Sequence, residues 1–209
     1  MLESRRRDTA VPEGAHWCDM TPALHLLSAQ LILASASMPC PPPGMTRLEL
    51  LQIKEAKFEV AEADERNRLA VSLLACLDDP EPAIRDGVVF EALSTWLRVG
   101  GLSDATILAL DVPLRAALIG PPDEAGFRRP FAALVLSEVA RADRIKAVFS
   151  EQSRADLLEI AASSLERVTD YRGFDPVEGW RHGVAHGSDL VLQLALNPKV
   201  DAAGLRRLM

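Results

Sequence analysis

Residues 77–97, LDDPEPAIRDGVVFEALSTWL, decide the fold class. The opening Asp78-Asp79-Pro80-Glu81-Pro82 reads as a turn, because both prolines fix φ and neither can donate a backbone hydrogen bond. From Ala83 the apolar residues return at helical spacing: Ile84, Val88, Val89, Ala92, Leu93, Trp96 and Leu97 fall on one stripe. A helix with one apolar stripe must bury it against another element, so this stretch implies packed neighbours.

Working outward, the same pattern recurs. Upstream, Thr46-Arg47-Leu48-Glu49 is a capping box that starts a helix near Arg47, expected to run to about Leu77. Downstream, Gly100-Gly101 ends the decisive helix and Ser103 caps the next, in which Pro113 is expected to kink or break the helix. Pro130 suits the first turn of a helix bearing Phe131, Leu134, Val135 and Val139. Ser153–Asp156 reads as a cap before Leu157, Leu158, Ala161, Ala162, Leu165 and Val168. A motif helix and a short helix after Asn197-Pro198 complete the chain. No alternating strand pattern is present, so the expected fold is all-α, built of antiparallel helical hairpins. The 77–97 unit resembles a HEAT-type repeat: a turn with Asp and Pro, then Arg85, then regularly placed apolar residues. The expected architecture is therefore a HEAT-like α-solenoid over residues 47–209.

Composition agrees with packed helices. Hydrophobic content is 48% and charged content 25%, the balance of a chain with a sizeable core, while aromatics are only 5%, so Leu, Val, Ile and Ala must fill that core. A net charge of −7 argues against nucleic acid as a partner, and no run reaches the length of a transmembrane segment. Residues 1–36 read as a signal or leader, with Arg5-Arg6-Arg7, an apolar stretch from Thr21 and a small-x-small site at Ala34-Ser35-Ala36. That places the protein in the periplasm or outside the cell; acidic residues between the basic and apolar parts keep a cytoplasmic reading open. Residues 37–46, containing Cys40-Pro41-Pro42-Pro43-Gly44, form a stiff Pro-rich lead-in. In an oxidising compartment Cys40 and Cys76 would pair; otherwise Cys76 is a small buried hydrophobe.

The chemistry-bearing residues concentrate in residues 171–189, YRGFDPVEGWRHGVAHGSD. Helical spacing is read from about Gly179 to Leu196, which puts His182, His186 and Asp189 at i, i+4 and i+7 on one face. Two imidazoles one turn apart and a carboxylate are metal-ligand types, zinc among the divalent candidates, with Asp175 or Glu178 as a further acidic group. Gly183 follows His182 where a zinc protease needs Glu, so a protease is excluded. The competing reading is packing. Gly179, Gly183 and Gly187 leave one side of the helix bare for a close neighbour, Phe174 and Trp180 are core, and the histidines bond buried groups. In that reading Arg172 pairs with Asp175 or Asp189, and Arg85 with Asp86 or a loop carbonyl. A third reading is a small-molecule or peptide pocket anchored by Arg172, Arg181, His182 and Asp189 beside Trp180. Arg128-Arg129 is a candidate anion site at the following helix start.

Residues 77–98, 127–144 and 170–198 together resemble the bacterial family known as domain of unknown function 2785. The signature is Tyr171-Arg172-Gly173-Phe174 followed by Gly179-Trp180-x-His182-x-x-Ala185-His186-Gly187-x-Asp189; Ser188 stands where alanine is usual. The resemblance spans about residues 47–200 and implies an all-helical protein with no established activity. Members continue past this point, so a C-terminus truncated after Met209 is left open. The leading functional expectation is a binding or scaffold role toward an unknown protein or small molecule, through a patch of Arg172, Asp175, Glu178, Trp180 and Arg181. The alternative is a metal-dependent hydrolase built on His182, His186 and Asp189, and whether the protein is an enzyme stays open.

Overall fold

Thr46 begins the first helix as its neighbours dictate: its hydroxyl accepts from the Glu49 amide at 3.2 Å while the Glu49 carboxylate accepts from the Thr46 amide at 2.7 Å. A computed structural model describes residues 39–209; the leader reading of residues 1–36 lies outside them. Helix α1 (Arg47–Glu55) stops well short of Leu77, contrary to the single helix expected. Lys57 and Phe58 adopt left-handed backbone with φ of 54° and 62°. Neither is Gly, so the turn costs about 1–2 kcal/mol per residue. Tertiary bonds offset it: Trp96 Nε1 donates to the Phe58 carbonyl at 2.8 Å, and Arg66 donates to the carbonyls of Val60 and Gly101, both at 2.7 Å.

The chain continues through α2 (Ala63–Ser72), a 3-10 turn (Leu73–Cys76) and the Asp-Pro turn. A disulfide joins Cys40 to the buried Cys76, tying the Pro-rich lead-in to the start of the fold. The decisive 77–97 stretch is one helical rod in three parts: α3 (Pro82–Ile84), a π-helical turn (Arg85–Phe90) and α4 (Glu91–Arg98). The remaining helices are α5 (Asp104–Ile119), α6 (Arg128–Ile145), α7 (Glu151–Glu166), α8 (Gly183–Ala195) and α9 (Ala202–Arg207). Pro113 does not break α5; both it and Ala109, the residue four before it, lie on the exposed side of the helix. The cap of α7 is Ser150 rather than the Ser153 expected, its hydroxyl accepting from the Ser153 amide at 3.1 Å.

The expected helical content is borne out, with one exception. Phe174–Asp175 (β1) and Gly179–Trp180 (β2) form an antiparallel hairpin, whose second strand takes the start of the helix expected from about Gly179. Asp175 Oδ1 shapes its turn by accepting from the amides of Val177 and Glu178 at 2.8 and 2.9 Å. Helix α6 lies between α4 and α8 and also packs on α5, while α5 lies between α2 and α7. The shared core includes Leu93, Trp96, Leu114, Phe131, Leu136, Leu157 and Leu190. Burying each such side chain contributes about 1.5–3 kcal/mol. Among the described residues no helix is long and apolar enough to cross a membrane.

One polar network fixes the far end of α8. Asp143, 1% exposed, accepts from the amides of Val148 and Phe149, from Arg154 Nε at 2.8 Å and from Asn197 Nδ2 at 2.9 Å. Burial opposes its ionisation, but the Arg154 guanidinium and the two amides outweigh burial and hold its carboxyl below the usual range. The network joins the α6–α7 turn to Asn197, just beyond the end of α8.

Candidate functional site

Arg85 begins the site. It is fully buried in the π-helical turn, yet every face of its guanidinium is used. Nη1 donates to the Asp79 carbonyl at 2.9 Å, Nη2 to the Glu178 carbonyl at 2.7 Å, and Nε to Asp86 Oδ1 at 2.8 Å. Its centre lies 3.8 Å from the Phe127 ring centroid, and Arg181 lies 4.4 Å from the same ring. The sequence reading of Arg85, Asp86 or a loop carbonyl is thus met by both partners at once. The bond to Glu178 straps the β1–β2 hairpin onto α3. Gly179 makes that approach possible: its φ is 77°, and a Cβ there would sit 3.0 Å from both Arg85 Nη2 and Pro82.

With the hairpin held, the chain turns sharply into α8. His182 is the N-cap in left-handed conformation, φ 50°, so it lies before the helix rather than on it. Its ring packs 4.0 Å from Trp180, edge to face, and 5.8 Å from the His186 ring. His186 is 8% exposed, lies 5.3 Å from Phe131, and its Nδ1 has no hydrogen-bond partner among the described residues. Burial, then the nearby His182, push its pKa down to about 4, the Pro130 carbonyl acting weakly the other way. The imidazole is therefore neutral at pH 7.

These side chains open on a cavity of about 490 Å³ between the π turn, α4, α6 and α8. His182, His186, Asp189 and Trp180 all line it, as do Asp86, Arg98 and Glu138. Glu138 is buried and pairs with Arg98, the single Lys or Arg on this wall among the described residues. The Asp189 carboxyl is held above the usual carboxylate range by partial burial and by the charge of Glu138. Asp86 is raised as well, by burial, against the pull of Arg85. The wall thus carries more acid than base, around the rings of Trp180, Phe90 and Phe131.

The other expected patch residues go elsewhere. Arg172 pairs with Asp170 at 2.5 Å, not with Asp175 or Asp189. Arg181 is buried behind the hairpin, donating to the Ala125 carbonyl at 3.1 Å and to Glu178 at 2.8 Å. Asp175 is occupied by its turn. Phe174 and Trp180 are not core: they are 61% and 44% exposed and pack on each other at 4.9 Å. Among the described residues no three His, Cys, Asp or Glu side chains are grouped so as to hold a metal ion. At the α6 start the Phe127 and Arg128 amides are not free to take an anion, because Asp123 already accepts from them at 2.8 and 2.9 Å. Arg98 and Glu138 were missed by the sequence reading, and Asp86 was read only as a partner of Arg85. The visible signal was Glu138 within the apolar run Leu134-Val135-Leu136-Ser137-Glu138-Val139, a charge at a core position.

Residues 115–209 match the model of a family described as "Protein of unknown function (DUF2785)". The matched part begins later than the resemblance expected, leaving residues 77–98 outside it, and contains the whole 171–189 motif. No curated protein and no solved structure matches the chain.

Proposed function

We propose that this chain is a binding module, a HEAT-like stack of helical hairpins that receives a cationic organic group in the cavity between α4, α6 and α8. The two-layer neighbour pattern, with α2, α5 and α7 on one side and α4, α6 and α8 on the other, supports the solenoid reading. The observation that carries the binding reading is the wall itself. Asp86, Glu138 and Asp189 face one cavity whose single Lys or Arg among the described residues, Arg98, is already paired. An ammonium group would relieve the repulsion between Glu138 and Asp189 and stack on Trp180. The neutral His186 adds a buried polar atom without adding positive charge. The disulfide supports a periplasmic or secreted location, where such a bond persists.

The test is calorimetric titration of n-butylammonium against n-butanol. Saturable binding of the amine alone, lost in Asp189→Asn and weakened in Glu138→Gln, is the expected result. Equal binding of both compounds, or none, overturns it. Zinc titration in the same series addresses the hydrolase alternative. One equivalent of zinc, lost in a folded His182→Ala/His186→Ala variant, would replace the binding reading with a metal site.

A further inference from the structure

A second cavity, of about 250 Å³, opens on a different face of α8, between the ends of α5 and α7 and the start of α6. It shares no lining residue with the first. Leu118, Ala133 and Leu165 supply apolar wall, and the bare backbone of Gly183 and Gly187 completes it. This is where the motif's helical glycines act. A Cβ at Gly187 would lie 3.0 Å from Leu165 Cδ1, while one at Gly183 would have nothing nearer than the Asp170 carbonyl at 3.5 Å.

Two donors on this wall have no partner among the described residues: Arg129 Nε and Ser164 Oγ are both buried and unbonded there. Arg129 is held in place by its Nη2, which donates to the Gly120 carbonyl at 2.5 Å. The nearby carboxylates are committed elsewhere. Asp123 caps the α6 amides, and Asp170 holds Arg172. At the exposed rim, Glu124 and Arg167 carry opposite charges. Leaving a buried donor unpaired is costly, and a charged one more so. An acceptor with negative charge would satisfy both atoms.

We propose that this cavity binds a small amphiphilic carboxylate, its head on Arg129 and Ser164 and its apolar body against Leu118, Ala133 and Leu165. A cavity of about 150 Å³ takes a benzene, so this one suits roughly ten non-hydrogen atoms. The site is independent of the cation cavity, and failure of either reading leaves the other standing.

The experiment is calorimetric titration of the full chain with octanoate and with 1-octanol. Octanoate is expected to bind one per chain, at least tenfold tighter than octanol. Arg129→Met removes that preference, leaving octanol binding within about twofold. Ser164→Ala, which keeps the Gly120 contact, weakens octanoate about threefold or more, so the test survives if Arg129→Met fails to fold. Gly183→Ala places its methyl at ordinary contact distance, so the variant folds, yet it narrows the cavity and weakens both ligands several-fold. Absence of saturable octanoate binding, equal binding of the two ligands, or folded variants that bind octanoate unchanged would each overturn the proposal.

Discussion

Replacing Arg85 by Met keeps the apolar stem and deletes the guanidinium. Three bonds go with it: to the Asp79 carbonyl at 2.9 Å, the Glu178 carbonyl at 2.7 Å and Asp86 at 2.8 Å. The stack over Phe127 at 3.8 Å goes too. Removing one partner of a buried ion pair costs about 3–5 kcal/mol, chiefly because the other partner stays buried and unpaired. Asp86 moderates this, because its side chain is 27% exposed and can be solvated once the guanidinium is gone. The lower end, about 3 kcal/mol, is the expected loss. For a chain of this size that lowers Tm by about 6–12 °C. The position of the loss matters more than its size. The Glu178 bond is one of the hairpin's ties to the rest of the fold, beside that of Arg181 to the Ala125 carbonyl, so amides of residues 174–182 should lose hydrogen-exchange protection well before those of α6. A calorimetric melt at pH 7 with residue-resolved exchange reads both. A Tm within about 2 °C of the parent, or a hairpin whose protection is unchanged, would refute the reasoning that Arg85 holds the site together.

Three further outcomes are expected. His186 has a folded pKa of about 4 against 6.5 unfolded, so the unfolded state binds the extra proton; stability is full above pH 6.5 and falls by about 3 kcal/mol as pH drops to 4. His186→Gln removes that slope, and subtracting its urea midpoints from the parent's cancels the carboxylates that titrate nearby; a difference independent of pH would show the imidazole is not desolvated. Asp143→Asn strands Arg154, which is only 5% exposed, and should cost about 3–5 kcal/mol; a melt within 3 °C of the parent would contradict the buried network. Reducing the Cys40–Cys76 bond frees a loop of sequence separation 36 and should lower stability by about 3–4 kcal/mol, seen as a lower Tm in dithiothreitol but no change in a Cys40→Ser/Cys76→Ser variant.

The sequence by itself determined most of the helices and the place of the chemistry. The Thr46 box, the Ser103 cap, the Asp-Pro turn before Pro82 and the apolar stripes are local signals, complete within a few residues, and they needed no partner to be read. The 171–189 motif stood out for its composition, and Trp180, His182, Ala185, His186 and Asp189 do share one cavity. Tertiary structure decided the rest. Left-handed backbone at Lys57, Phe58 and His182 carries no Gly or Pro; for the first two it rests on bonds from Trp96 and Arg66, residues brought there only by folding. The β1–β2 hairpin exists because Arg85, 93 positions before Glu178, reaches its carbonyl, so helical spacing misled from Gly179 to His182. Glu138 joins Asp189 at the cavity because α6 and α8 pack side by side. Periodicity reports which face of a helix is apolar; which face of another helix it meets is set by packing, and the charges that meet there follow from that alone.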